Sequence, residues 1–153
     1  MEWTFPISPI AASRPRVSRH GAYYTGPYKY FRQEMIEIVP LILGSGFVPY
    51  TEPLKVDLEL YVTHPKKTKL PAPRADVDNY IKSIFDCMNG WLWEDDTQIH
   101  QVYATKQWSH PKHTGYFILG VEKFKGGDQD MGKLDIRLPE DSEDIIIDNG
   151  EGD

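Results

Sequence analysis

A chain of 153 residues with 40% apolar, 12% aromatic and 26% charged residues and a net charge of −6 has the length and make-up of one globular domain, and the fibrous and low-complexity classes are excluded. No apolar run approaches the roughly 20 residues that cross a bilayer, and Met1-Glu-Trp lacks the build of a signal peptide. The single cysteine, Cys87, excludes an intrachain disulfide or a cysteine-based zinc site, so the expected setting is cytosolic with no membrane partner.

Glu2 to Ile7 reads as a short strand, and Pro6, Pro9 and Pro15 suggest an edge or irregular strand, because proline cannot donate to a ladder. Arg14-Pro-Arg-Val-Ser-Arg-His-Gly21 is too basic and too broken for a packed element and reads as an exposed loop or ribbon. Tyr23, Tyr24, Tyr28, Tyr30 and Phe31 follow. Nucleic-acid bases stack on such rings; the plainer reading makes them packing residues near a helix start. Pro27 suits a first helical turn, and Tyr28, Phe31, Met35, Ile38 and Val39 recur at helical spacing up to Pro40.

Gly44-Ser-Gly46 ends that region, and Leu54 to Thr63 alternates apolar and polar residues with period two, the mark of a half-buried strand. His64 to Pro73 is a loop rich in lysine and proline. Val77, Ile81, Ile84, Phe85 and Met88 then form the apolar stripe of a helix closed by Asn89-Gly90, with Asp78, Lys82 and Asp86 on the adjoining polar face. Ile99 to Trp108 and Thr114 to Phe124 are strand-like runs expected to pair as a hairpin across Ser109–His113. Beyond Phe124 the patterning decays. The expected division is a domain over residues 1–124 and an acidic, flexible tail over 125–153, in which Lys133–Leu138 and Ile145–Ile147 could each form a brief strand or docking segment.

The net charge hides an uneven distribution. Residues 125–153 carry three basic against ten acidic side chains, a net of −7, which leaves fourteen against thirteen, or +1, for residues 1–124. Arg14 to Arg32 holds five Arg or Lys and no acid, and His64 to Arg74 holds four more, again with no acid. Local basic patches, rather than net charge, are the electrostatic footprint of phosphate binding. Arg14, Arg16, Arg19, Lys66, Lys67, Lys69 and Arg74 are the candidate DNA contacts. The tail could compete for that basic surface or meet another protein.

Between these basic runs and the strands lies a concentration of acid. Asp76 and Asp78 stand two apart, and Glu94, Asp95 and Asp96 follow the helix. Crowded carboxylates repel one another unless a cation neutralises the group, and two or three aspartates suit magnesium, which keeps waters and phosphate oxygens as its other ligands. The second cluster is expected to return to the first, because a helix of a dozen residues is only ~18 Å long. Lys82 could hold a phosphate or stabilise charge developing in a transition state. The competing reading makes Asp76 or Asp78 an N-cap and Asp78–Lys82 an ordinary i,i+4 ion pair. An EF-hand is excluded, since Tyr80 and Ile81 stand where its loop needs an oxygen ligand and a glycine.

Arg74-x-Asp76-x-Asp78-Asn79-x-x-Lys82, followed by Asp86, Trp93, Asp95, Asp96, Gln98 and Ile99, resembles the RusA family of Holliday-junction resolvases, especially its phage and prophage members. With Arg14-Pro-Arg16 and Tyr24 included, the likeness covers roughly residues 3 to 124. It implies an α+β fold, a single domain with a mixed β-sheet packed against two main helices, assembled as a homodimer. It further implies a magnesium-dependent endonuclease of DNA recombination and repair, with Mn2+ able to take the metal's place. Such an enzyme cuts branched DNA symmetrically to leave 5′-phosphate and 3′-hydroxyl ends. By position, Asp76, Asp78 and Asp96 would be the metal-binding catalytic carboxylates, with Asp95 the less certain of its pair, and Lys82 the catalytic lysine.

Two other classes compete. A non-catalytic branched-DNA-binding accessory protein would keep the fold without the chemistry, yet all the candidate carboxylates and Lys82 are present. A metal-dependent sugar-nucleotide transferase also uses Asp-x-Asp, but 153 residues leave no room for its usual nucleotide-binding domain.

Overall fold

The computed structural model describes residues 1–24 and 26–126, in the order β1 (Glu2–Phe5), β2 (Arg16–Ser18), β3 (Gly21–Tyr23), α1 (Gly26–Leu43), β4 (Leu54–Val62), α2 (Val77–Met88), a 3-10 turn (Asp96–Gln98), β5 (Ile99–Trp108) and β6 (Tyr116–Lys123). The period-two pattern of β4 makes it the centre of the fold. Leu54, Val56, Leu58 and Leu60 are buried on one face, while Lys55, Asp57, Glu59 and Tyr61 occupy the other. The four-stranded sheet has the order β1-β6-β4-β5, with β4 parallel to β5 and antiparallel to β6, and β1 antiparallel to β6 at the outer edge. This is the mixed sheet and two-helix α+β architecture that the resemblance implied.

The expected hairpin between β5 and β6 does not form, because β4 lies between them. The β4–α2–β5 segment is a βαβ crossover, which seats β5 parallel to β4 on one side and leaves the other side for β6. The seven residues from Ser109 to Gly115 have to span two strand spacings, about 10 Å. Ser109 donates its amide to the Val62 carbonyl at 2.8 Å and Gly115 donates to Thr63 Oγ1 at 2.8 Å, so the connection crosses the end of β4. A Cβ at Gly115 would collide with the Tyr61 carbonyl, Ser8 Oγ and the Thr63 amide, which is why glycine stands there.

Both helices cover the buried face of the sheet. Helix α1 contributes Tyr28, Phe31, Met35 and Val39 and continues to Leu43, three residues past the expected stop at Pro40, with Gly44 closing on the Pro40 carbonyl at 3.0 Å. Helix α2 buries Tyr80, Ile84, Phe85 and Met88, whereas Val77 and Ile81 of the expected stripe are only half-buried. Between the layers Phe5 stacks on Phe117 at 4.8 Å, and the fully buried Trp93 meets Phe85 edge-on at 5.2 Å. No described helix is long and apolar enough to cross a membrane. The segments Lys133–Leu138 and Ile145–Ile147 lie outside the described residues.

Candidate active site at the mouth of helix α2

The chain entering α2 is tied down from two sides. Lys106 projects from β5 and donates its ammonium to the carbonyls of Pro73 and Ala75, at 2.8 and 2.6 Å, the latter belonging to the residue before Asp76. Two positions along β5, the Trp108 indole N–H donates to the Leu70 carbonyl at 2.9 Å, and His64 meets the Trp108 ring at 5.4 Å. From the N-terminal segment, the Ala12 amide donates to the Asn79 carbonyl at 3.0 Å. The basic loop before α2 and the basic ribbon after Ala12 therefore both start from the first turn of this helix.

At that turn Asp76 occupies the N-cap position with extended backbone, φ −66° and ψ 145°, but its carboxylate makes no capping bond. The Asn79 amide goes instead to the Asp76 main-chain carbonyl at 3.1 Å. Asp78 is exposed in the first turn, and Lys82 pairs not with it but with Asp86, at 3.3 Å. The charge of Asp86, and then its hydrogen bond, raises the Lys82 pKa, so the ammonium stays charged at neutral pH while 67% of the side chain remains exposed. Among the described residues neither Asp76 nor Asp78 has a hydrogen-bond or ion-pair partner for its carboxylate, and the purely structural reading of the pair loses both of its supports.

The second acidic cluster divides its labour. Asp95 caps the 3-10 turn: its carboxylate accepts the Thr97 amide at 3.1 Å while Gln98 Oε1 accepts the Asp95 amide at 2.9 Å, a reciprocal capping box. Thr97, through its side chain and then its backbone amide, holds the Asp95 carboxyl below the ordinary aspartate value. Gln98 also donates to the carbonyls of Tyr50 and Glu52, at 2.9 and 3.1 Å, clamping the turn to the preceding loop. Asp96 is half-buried and among the described residues its carboxylate accepts only from Asn89 Nδ2, at 3.5 Å, and Asn89 Oδ1 in turn accepts the Trp93 indole N–H at 2.7 Å. The buried Trp93 thus orients Asn89, and Asn89 reaches Asp96.

Asn89 is the C-cap of α2, so Asp96 stands at one end of the helix and Asp76 and Asp78 at the other. Thirteen residues of helical rise put those ends about 20 Å apart. The expected return of the second cluster to the first does not occur within one chain, and among the described residues no three His, Cys, Asp or Glu stand close enough together to hold a cation. The bonds Gly90 N to Trp93 O at 2.7 Å, Tyr50 N to Leu92 O at 2.9 Å and Glu94 N to Tyr50 O at 3.2 Å fasten the cluster where it is.

Arg16 and Arg19 lie on the β2–β3 ribbon with Arg14 just before it, and Lys66, Lys67, Lys69 and Arg74 on the loop between β4 and α2; all seven are exposed. The aromatic group divides. Tyr28 is buried, Tyr24 meets it edge-on at 5.0 Å, and the Arg32 guanidinium lies 5.0 Å from the Tyr24 ring while donating to the Tyr28 hydroxyl at 3.2 Å, so these two rings serve packing. Tyr23 and Tyr30 remain exposed. Burial pushes the Cys87 thiol up to about 11, which makes it a poor nucleophile. Lys106 escaped the sequence reading, since a lone lysine on a strand carries no pattern, and Asn89 is legible there only as the helix stop, not as the partner of Asp96. The Asp95-to-Gln98 spacing does fit a capping box and could have separated Asp95 from Asp96.

A family model described as endodeoxyribonuclease RusA matches residues 6–115, a span that takes in both basic segments, Asp76, Asp78, Lys82, Asp95 and Asp96. The chain is also similar to the uncharacterized protein YqaN of Bacillus subtilis (strain 168), at 29% identity over 139 residues that cover 79% of this chain and 96% of that protein.

Proposed function

This chain belongs to the RusA endodeoxyribonuclease family, and from that premise we propose that it is a magnesium-dependent, homodimeric nuclease that resolves four-way DNA junctions by paired symmetric cuts. The observation that carries the reading is the pair Asp76 and Asp78, exposed and without a described partner at the mouth of α2, between two basic segments rooted at the same turn. Hard carboxylate oxygens in that number suit Mg2+, with Mn2+ able to take its place. When bound, such a cation supplies an activated water, a polarised scissile phosphate and charge compensation for the leaving 3′ oxygen.

Each remaining step falls to the side chains of the protein. Asp76 and Asp78 would hold the cation at the mouth of α2. Lys82, one turn beyond Asp78, brings a positive charge to the phosphate and exchanges its Asp86 partner for the substrate. The Arg14, Arg16, Arg19, Lys66, Lys67, Lys69 and Arg74 side chains neutralise neighbouring phosphates and seat the strand. Asp96 supplies the third carboxylate; Asp95, engaged as a cap, is not needed.

The separation of about 20 Å along α2 supports a third carboxylate supplied by a second chain. In this reading Asp96 of the partner subunit would complete the pair Asp76 and Asp78, so that each site would be built from two chains and a monomer would hold none complete. A twofold dimer with two shared sites matches the symmetry of a junction and addresses two opposed strands together. The place of action is the cytoplasm of a bacterial or phage-infected cell, where branched recombination intermediates arise.

The deciding experiment incubates the protein and magnesium with a labelled four-way junction and with a matched linear duplex. Paired nicks confined to the junction are expected. Junction binding without nicks would select a branched-DNA accessory protein instead, and indifference to the branch would remove junction resolution.

A further inference from the structure

Among the described residues the β2–β3 ribbon pairs only with itself, in a two-stranded sheet of three residues per strand, and every residue from Ser13 to Tyr23 is exposed. An isolated ribbon this short is marginally stable in water, and this one is trimmed for rigidity at its tip. The Ser18 hydroxyl accepts the His20 amide at 3.1 Å and donates to the Gly21 carbonyl at 3.3 Å, while Gly21 takes φ +113°. Register places Val17 opposite Ala22 and Arg16 opposite Tyr23, so the ribbon has one apolar face and one that is cationic and aromatic.

Val17 is 81% exposed, the highest value among the large hydrophobic side chains described. Its neighbours along the chain include Arg14, Arg16, Arg19 and His20, and no acidic residue occurs between Arg14 and Arg32. A protein partner would have to be strongly acidic to accept that surround. A nucleic acid supplies what both parts of the ribbon need, phosphates for the guanidinium groups and base faces for the apolar side chain. The root of the ribbon is fixed to the candidate site by the Ala12 to Asn79 bond. The three residues of β2 carry it about 10 Å at the usual strand rise.

Resting on the nuclease reading, we propose that β2–β3 is an arm that enters the branch point of the DNA, where Val17 packs against unstacked bases while Arg14, Arg16 and Arg19 hold the flanking phosphates. Bases at a branch already lack part of their stacking, so the wedge enters there at less cost than in a continuous duplex. The arm thereby distinguishes a junction from a duplex, and its length sets how far from the branch the cut falls.

The test uses the full chain, calcium in place of magnesium, and a four-way junction carrying 2-aminopurine at the crossover, whose fluorescence rises when the base unstacks. Native protein should raise the signal several-fold at saturation. Val17→Thr keeps the shape and the three arginines but places a hydroxyl at the wedge; it should lose most of the rise, and junction nicking in magnesium should fall about tenfold. Val17→Ile, which stays apolar, should keep both. A full fluorescence rise with Val17→Thr would overturn the proposal. So would native protein that nicks the junction with no rise at the crossover, an outcome that leaves the nuclease reading standing. Native protein that neither binds nor nicks the junction would sink the nuclease reading and the arm with it.

Discussion

Lys106 Nζ stands 2.6 Å from the carbonyl oxygen of Ala75, and so a strand of the sheet directly fixes the residue that precedes Asp76. A second bond, to Pro73 at 2.8 Å, prevents the loop from pivoting about the first. Replacing Lys106 with Met keeps the aliphatic stem and removes the donors. The expected cost in unfolding free energy is about 1 to 3 kcal/mol, measured by denaturant titration. At temperatures where the variant is still folded, junction nicking should fall more than tenfold because Asp76 is no longer held in place. Near-native nicking by the variant would show that the loop is fixed by other means.

Asp95 and Asp96 are adjacent in sequence and opposite in consequence. Asp95→Asn keeps a side-chain oxygen to accept the Thr97 amide, so nicking should survive within a few-fold. Asp96→Asn removes the charge of a proposed ligand and should reduce nicking by roughly a hundredfold or more, with binding in EDTA retained. The depressed Asp95 pKa gives the sign of the pH dependence. Its contribution to the stability of the turn is fully present above the ordinary aspartate pKa and is lost as pH falls through the depressed value. Equal loss of nicking in the two variants would contradict the division of labour.

The basic segments predict a salt dependence. If Arg14, Arg16, Lys66 and Lys67 meet phosphates, neutralising them together should lower the slope of log affinity against log salt by roughly 0.9 per contact. Fluorescence anisotropy with a labelled junction across a salt series measures this directly. An unchanged slope would take these side chains off the DNA surface.

Cys87 gives a check on packing between the helices. Burial pushes its thiol from 9.0 to about 11, so at neutral pH the thiolate fraction is roughly a hundredfold below that of an unperturbed thiol. Alkylation of the native protein should be correspondingly slow and should become fast in denaturant. Rapid labelling of the folded chain would mean that α2 opens away from α1.

What the sequence discloses about this fold follows what is local. The alternation from Leu54 to Thr63 and the helical stripe through Ile84, Phe85 and Met88 are statements about neighbouring residues, and β4 and α2 formed where they indicate. Tyr80 shows the limit, since its ring is buried although Val77 and Ile81 look the more apolar. Which strands pair is a tertiary choice. The runs now forming β5 and β6 are compatible with a hairpin, and what seats β4 between them is the parallel crossover and the approach of Gly115 to β4. The candidate site was legible as a list of carboxylates but not as a place. That Asp76 declines its capping role, that Lys82 turns to Asp86, and that Asp96 stays with Asn89 at the far end of α2 all depend on contacts that spacing does not encode.

Subunit mixing tests whether each proposed metal site is shared between two chains. Asp76→Asn and Asp96→Asn chains, carrying different tags, are co-expressed, the mixed dimer is purified through both tags, and nicking of a four-way junction is measured in magnesium. Each variant alone should be inert. In the mixed dimer one site loses both ligands while the other keeps Asp76 and Asp78 from one chain and a native Asp96 from its partner, so single-strand nicking should return at about half the native rate, without paired cuts. If every site lay within one chain, both sites of the mixed dimer would be damaged. A purified mixed dimer as inert as its parents would contradict the shared site.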